Sequence, residues 1–172
     1  MAVDIFDVVD ASDNVVATAP RWQVHAEGLR HRASHIIIYC QSPQGRKLLL
    51  QKRSANKDLY PNLYTTSCSG HVDSGEDYNT AAVREMFEET GLKVDISELT
   101  PICKISPCAE TGNEFTQVYE FYCAENTNFS PSPSEVEKLE WILLDDFFKL
   151  TKTNPELFTP SFLCVMRSAL EK

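Results

Sequence analysis

Two apolar runs, 34–40 (SHIIIYC) and 47–53 (KLLLQKR), flank the turn-forming Ser-Pro-Gln-Gly at 42–45. Continuous apolar character over so few residues predicts strands buried on both faces, joined as a hairpin. A shorter pair, 6–10 (FDVVD) and 14–18 (NVVAT), is separated by Ala-Ser-Asp and predicts an N-terminal hairpin. Further strands are predicted at 63–70 (LYTTSCSG), 99–107 (LTPICKISP), 114–124 (EFTQVYEFYCA) and 140–144 (EWILL), with a polar loop at 125–134 and a closing helix near 160–170. The alternation of strands and helices predicts an α/β fold. No internal repeat is visible, and 172 residues suit one domain. The expected organisation is a single domain over 1–172 with a hairpin extension in about the first 30 residues.

Over 79–90 the pattern becomes helical, with Asp77 or Asn79 as candidate N-cap and Gly91 as the left-handed stop. On that helix Glu85, Glu88 and Glu89 stand at i, i+3 and i+4, so their carboxylates converge on one face. Val83, Met86, Phe87 and Thr90 are expected to form the opposite, core-facing side. Ala81 and Ala82 flank the acidic face with so little bulk that another backbone segment has room to approach. Three like charges this close repel, and such an oxygen-only set suits Mg²⁺ or Mn²⁺. Taken alone, the same spacing equally describes a solvated acidic face.

The net charge of −9 argues against nucleic acid or an anionic membrane as partner. Phosphate substrates remain open, because local basic groups override the global sign. Two such groups are Arg30-His31-Arg32 and Lys52-Arg53 with Lys57, each expected to flank a strand; Arg32, Arg53 and Lys57 are the candidate substrate-phosphate contacts. No twenty-residue apolar run and no signal-like N-terminus appear, so a cytoplasmic protein with no membrane partner is expected. The six cysteines are scattered without a C-x-x-C pair and are expected to be reduced thiols, mostly in the core.

Residues 70–92 (GHVDSGEDYNTAAVREMFEETGL) satisfy the pattern G, five residues, E, seven residues, R-E-apolar-x-E-E-x-G-apolar. This resembles the Nudix box of the Nudix hydrolase superfamily. The resemblance implies an α/β/α sandwich with a mixed β-sheet, and divalent-metal-dependent hydrolysis of a diphosphate linkage in a nucleoside diphosphate derivative or other small organic diphosphate. It implies Glu85, Glu88 and Glu89 as metal ligands with the carbonyl of Gly70, and a Glu76–Arg84 ion pair holding loop to helix. Glu85, Glu89, Arg84 and Glu114 are then the candidate catalytic residues. The general base is Glu85 or a glutamate outside the box, where Glu114 is preferred over Glu110 and Glu120.

Outside the box the chain is similar to the isopentenyl diphosphate isomerase branch of the superfamily. His25, His31, His71 and Glu114 match four of that branch's five metal ligands, which implies a second metal site or phosphate contacts at the histidines. The isomerase's catalytic pair is not matched, since Ser69 stands in place of its cysteine and Thr116 in place of its glutamate. Carbon protonation and deprotonation need an acid and a base on opposite sides of the substrate, so hydrolysis is favoured. A third reading, a non-catalytic nucleotide-binding module, is opposed by the intact box carboxylates. The N-terminal hairpin also offers a surface for pairing across a homodimer.

Overall fold

A computed structural model describes residues 4–170; the extreme ends of the expected 1–172 domain lie outside the described residues. The N-terminal hairpin pairs β1 (Ile5–Val9) with β2 (Val15–Pro20). A helix not anticipated from sequence, α1 (Arg21–Glu27), follows directly and stops at Gly28, whose φ of 61° lies in the left-handed region. Hairpin and helix share a small core of Phe6, Ala19 and Val24.

The main sheet is seven-stranded and mixed. At its centre β3 (His31–Ser42) runs parallel to β8 (Glu114–Tyr122), while β7 (Thr100–Ile105) pairs antiparallel with β8. On its other edge β3 pairs with β4 (Gly45–Arg53) only from Tyr39 to Ser42. Beyond that the two strands splay, and 64–71 fills the gap: β5 (Tyr64–Thr65) pairs with β4, and β6 (Cys68–His71) pairs with β3. The single strand expected at 63–70 is therefore two, broken where it changes partner. The far edge of β4 carries β9 (Val136–Leu143).

Alternation along β3 assigns its apolar run to two cores. Ile36 and Ile38 face α2 (Tyr78–Thr90) with Cys68, Ala82, Met86 and Tyr119. Ile37 and Tyr39 face the other layer, where α3 (Leu144–Thr153) and α4 (Pro160–Leu170) contribute Phe147, Phe162 and Val165. The result is an α/β/α sandwich in which the splay between β3 and β4 opens beside α2. Among the described residues no helix is long and apolar enough to cross a membrane.

Candidate functional site

Asp77 caps α2 by accepting from the Thr80 N–H at 2.8 Å, and Gly91, at φ 77°, ends it. Met86 and Thr90 are buried and Val83 packs on the core as expected, but Phe87 departs from the expected face and the buried side also takes in two carboxylates. Phe87 is 50% exposed, with the Lys93 ammonium over its ring, whereas Ala81, Ala82, Glu85, Met86, Glu89 and Thr90 are buried. The cause is the close approach of β6: alanines let the strand lie against the helix, which carries the side chains of Glu85 and Glu89 inward with it. Glu88 stays at the open side, half exposed.

Three successive residues of β6 meet the acidic face. The N–H of Ser69 donates to Glu89 Oε2 at 2.8 Å, and the Gln51 amide on β4 donates to the same oxygen at 2.8 Å. At Gly70 an added methyl would overlap the Glu85 carboxylate, so only glycine leaves the backbone this close. The carbonyl of His71 accepts from Arg84 Nη2 at 2.9 Å. Arg84 also grips Glu76 with two bonds, Nε to Oε1 at 3.0 Å and Nη2 to Oε2 at 2.9 Å, and reaches Glu85 at 2.6 Å and Glu88 at 3.3 Å. Loop and helix are thereby locked together by a bidentate, charge-assisted pair.

Two buried carboxylates one turn apart are short of positive charge. Burial first, and the neighbouring Glu89 second, push Glu85 up to about 8 even with Arg84 beside it. Glu89 is also raised, chiefly by burial. A cradle lined by acidic oxygens, closed by a glycine backbone and deficient in cations fits a hard divalent ion.

A second constellation adjoins it. His25 on α1, His31 at the start of β3 and His71 at the end of β6 bring their ring centroids within 5.3, 5.1 and 5.2 Å of each other in pairs, under the ring of Phe6. Glu114 Oε1 lies 3.3 Å from His31 Nε2 and 3.1 Å from His71 Nε2. Burial would raise Glu114, but the two histidines hold it well below the ordinary carboxyl range. Burial and the other two rings lower His25 to about 4, so it is neutral. His31 Nδ1 bonds the Leu29 carbonyl at 2.8 Å. Its Nε2 is buried without a hydrogen-bond partner and faces Glu114 Oε1, so a proton or a metal between them would complete the set.

Both constellations open into one cavity of about 630 Å³. Arg53 and Lys57 line it. Arg53 also holds the Leu59 carbonyl, and Lys57 pairs with Glu135. Arg32 is not among the residues lining it: Asp13 takes its guanidinium at 2.6 Å on the hairpin side, and Arg32 also lies over the Tyr78 ring, away from where a phosphate contact was expected. Sequence reasoning missed Arg21, which opens α1, lines the cavity and pairs with Asp58 at 3.3 Å. It also missed His35, buried beside Ser69 in the strand register and bonded to Thr66 Oγ1 at 2.8 Å. Ser69 lines the cavity while Cys68 is buried in the core behind it, and Thr116 is buried with its hydroxyl unpartnered.

A box of acidic residues on strand, loop and helix, set in this sandwich, defines a class, and comparison with known families agrees. The NUDIX domain family model matches residues 30–161, and the chain belongs to the Nudix family, hydrolases that act on phosphoanhydride bonds. Among individual proteins it is similar to an isopentenyl-diphosphate Delta-isomerase of Serratia proteamaculans, 32% identical over 93% of this chain and 88% of that one. It is also similar to a prenyl-diphosphate phosphatase of Methanosarcina mazei, 33% identical over 89% of this chain and 87% of that one. The crystal structure of DR0079 from Deinococcus radiodurans superposes with a TM-score of 0.80 at 27% identity, covering 97% of this chain and 99% of that one.

Proposed function

We propose that this protein hydrolyses the phosphoanhydride bond of a small organic diphosphate, with Mg²⁺ or Mn²⁺ held by Glu85, Glu88, Glu89 and the Gly70 carbonyl. The observation that carries this reading is the cation-deficient pair Glu85 and Glu89, buried against the backbone of Gly70 at the wall of a cavity that also holds Arg21, Arg53 and Lys57. When bound, a divalent ion there neutralises phosphate charge and lowers the pKa of water. The three cations orient the diphosphate. Arg84, through Glu76 and the His71 carbonyl, keeps the box loop at a fixed distance from the helix.

The proton of the attacking water goes to Glu85 in this reading, and not to Glu114. Glu85 lies in the acidic cradle against Gly70, whereas Oε1 of Glu114 is already engaged by His31 and His71. Glu114 serves instead to fix His31 and His71, a set whose donors also suit a second cation.

The lining supports a polar organic group on the substrate. Thr65, Thr159, Ser161, Asn56 and Thr111 stand around the cavity, and its few carbon-rich side chains include Phe6, already covered by histidines, and the loop residues Leu59 and Tyr60. Each buried methylene gains about 0.8 kcal/mol only against apolar walls, so lengthening a prenyl chain brings no gain here. The similarity to a prenyl-diphosphate phosphatase makes the comparison direct.

Isomerisation is the second reading, favoured by the histidine set with Glu114. It is opposed by Ser69, which offers a hydroxyl where a cysteine is required, and by Thr116, which offers no carboxylate. The test is phosphate release with Mg²⁺ or Mn²⁺ across nucleoside diphosphate derivatives, sugar diphosphates and C5 to C15 prenyl diphosphates, with isopentenyl diphosphate also followed for isomerisation. Metal-dependent release, highest for a polar member, is expected. Isomerisation without release overturns the proposal, and metal-dependent binding without turnover of any member moves the function to a binding role.

A further inference from the structure

The loop 106–113 between β7 and β8 carries a cluster that the hydrolytic reading does not use. The sulfurs of Cys108 and Cys164 and a carboxylate oxygen of Glu110 lie within 4.8 Å of one another. Cys108 comes from the loop and is partly exposed, while Cys164 comes from α4 and is buried. Beside the Cys108 sulfur stands the Thr111 hydroxyl, whose oxygen accepts from the thiol at 3.6 Å. Burial opposes ionisation of Cys108, yet hydrogen bonding with Thr111 holds its thiol below the ordinary range, while burial raises Cys164.

The cluster is not arranged as a cation site. Both oxygens of Glu110 are engaged by Arg167 Nη2, at 2.7 and 2.8 Å, so the one carboxylate is committed elsewhere. What remains is a partly exposed thiol on the loop with a buried thiol on α4 close behind it.

We infer that Cys108 and Cys164 form a peroxide-reactive dithiol, a modification site at which a hydroperoxide is reduced and a Cys108–Cys164 disulfide is made. The Cys108 thiolate attacks the terminal oxygen of the hydroperoxide, forming the S–O bond of a sulfenic acid as the O–O bond breaks; the leaving oxygen takes a proton and departs as water or alcohol. Cys164 then gives up its proton and attacks the Cys108 sulfur, forming the S–S bond and expelling hydroxide, which is protonated to water. Two thiols and one hydrogen peroxide thus become one disulfide and two waters. The bond fastens α4 to a loop whose Glu110 and Thr111 line the substrate cavity and whose Thr111 hydroxyl donates to the Cys108 and Glu114 carbonyls, each at 3.2 Å.

The experiment treats the reduced full-length protein with stoichiometric hydrogen peroxide, blocks remaining thiols by alkylation and maps the peptides by mass spectrometry. A single Cys108–Cys164 linkage, reversed by dithiothreitol, is expected. Cys108 should react at least about tenfold faster than the partly exposed Cys123, whose thiol burial raises. Cys164→Ser should leave Cys108 as a sulfenic acid trapped by dimedone, and Cys108→Ser should form no linkage, both variants keeping the parent Tm when reduced. Disulfides scrambled among other cysteines, Cys108 reacting no faster than Cys123, or no trapped sulfenic acid in a folded Cys164→Ser protein would overturn the assignment.

Discussion

The charge deficit at Glu85 and Glu89 has a measurable consequence in the metal-free protein. A carboxyl whose pKa is higher folded than unfolded makes the folded chain bind more protons across the interval between the two values, so stability falls as pH rises through it. For Glu85 the interval runs from 4.5 to about 8. At about 1.36 kcal/mol per pH unit, keeping that carboxylate ionised costs the metal-free fold about 5 kcal/mol at alkaline pH. About 3 kcal/mol of this is lost between roughly pH 5.5 and 8, which for a chain of this size lowers Tm by about 6–12 °C. Thermal unfolding followed by circular dichroism in chelator, across that range, should show the decline. Saturating Mg²⁺ should remove it, because a bound cation stabilises the ionised pair, and Mg²⁺ should bind more tightly as pH rises, by up to about tenfold per unit while a proton is displaced. Glu85→Gln should reduce the slope, and the double variant with Glu89→Gln should flatten it. A metal-free Tm that is constant or rises with pH, or a Glu85→Gln protein with the parent slope, would refute the reasoning.

Glu89→Gln should lower metal-dependent turnover by about 10²–10³-fold while the circular dichroism spectrum and metal-free Tm hold or improve; full activity in steady-state phosphate release would remove the box from the mechanism. Gly70→Ala must displace the Glu85 carboxylate, which the added methyl would overlap. Because that carboxylate is the far end of a flexible side chain, Tm should change little while Mg²⁺ affinity by calorimetry falls, whereas unchanged affinity would detach Gly70 from the metal site. Ser69→Cys alone should produce no allylic isomerisation of isopentenyl diphosphate by NMR, because Thr116 still lacks a carboxylate; measurable isomerisation would show that the missing acid–base pair is not the barrier.

What the sequence disclosed, it disclosed through local spacing. Glu85, Glu88 and Glu89 share a helix, and Asp77 and Gly91 mark its ends, so the acidic face and its span were readable from one segment. Met86, Thr90 and Val83 turned inward as read, but the exposure of Phe87 and the burial of Glu85 and Glu89 were not legible, because only the docking of β6 decides them. The break between β5 and β6 was hidden for the same reason: exchanging β4 for β3 as partner is a property of the splay, not of residues 64–71. At seven residues, α1 is too short to show a period, and with it Arg21 was lost and His25 was known only by resemblance. Residues 144–153 were passed over although α3 carries Asp145 and Asp146 in its first turn, a signal suited to a helix start. Arg32 shows the limit of reading charge alone, since a basic residue beside a strand has no preferred partner until the fold supplies Asp13.

Strand β6 is where the two constellations become one device. Ser69 anchors Glu89 by its N–H, Gly70 admits Glu85, and His71 sends its ring toward Glu114 while its carbonyl is held by Arg84. A displacement of this strand therefore disturbs the acidic cradle and the histidine set together. The scaffold accommodates both sets because β3 and β4 splay: paired along their whole length, they would leave no edge for β6, and Gly70 would have no route to Glu85. The cluster of histidines with Glu114 stands without the cysteine and second carboxylate that carbon chemistry needs, since Ser69 and Thr116 occupy those places. Glu85 and Glu89, whose carboxyls burial raises in the metal-free fold, stand on the side where Gly70 and Arg84 fix the backbone.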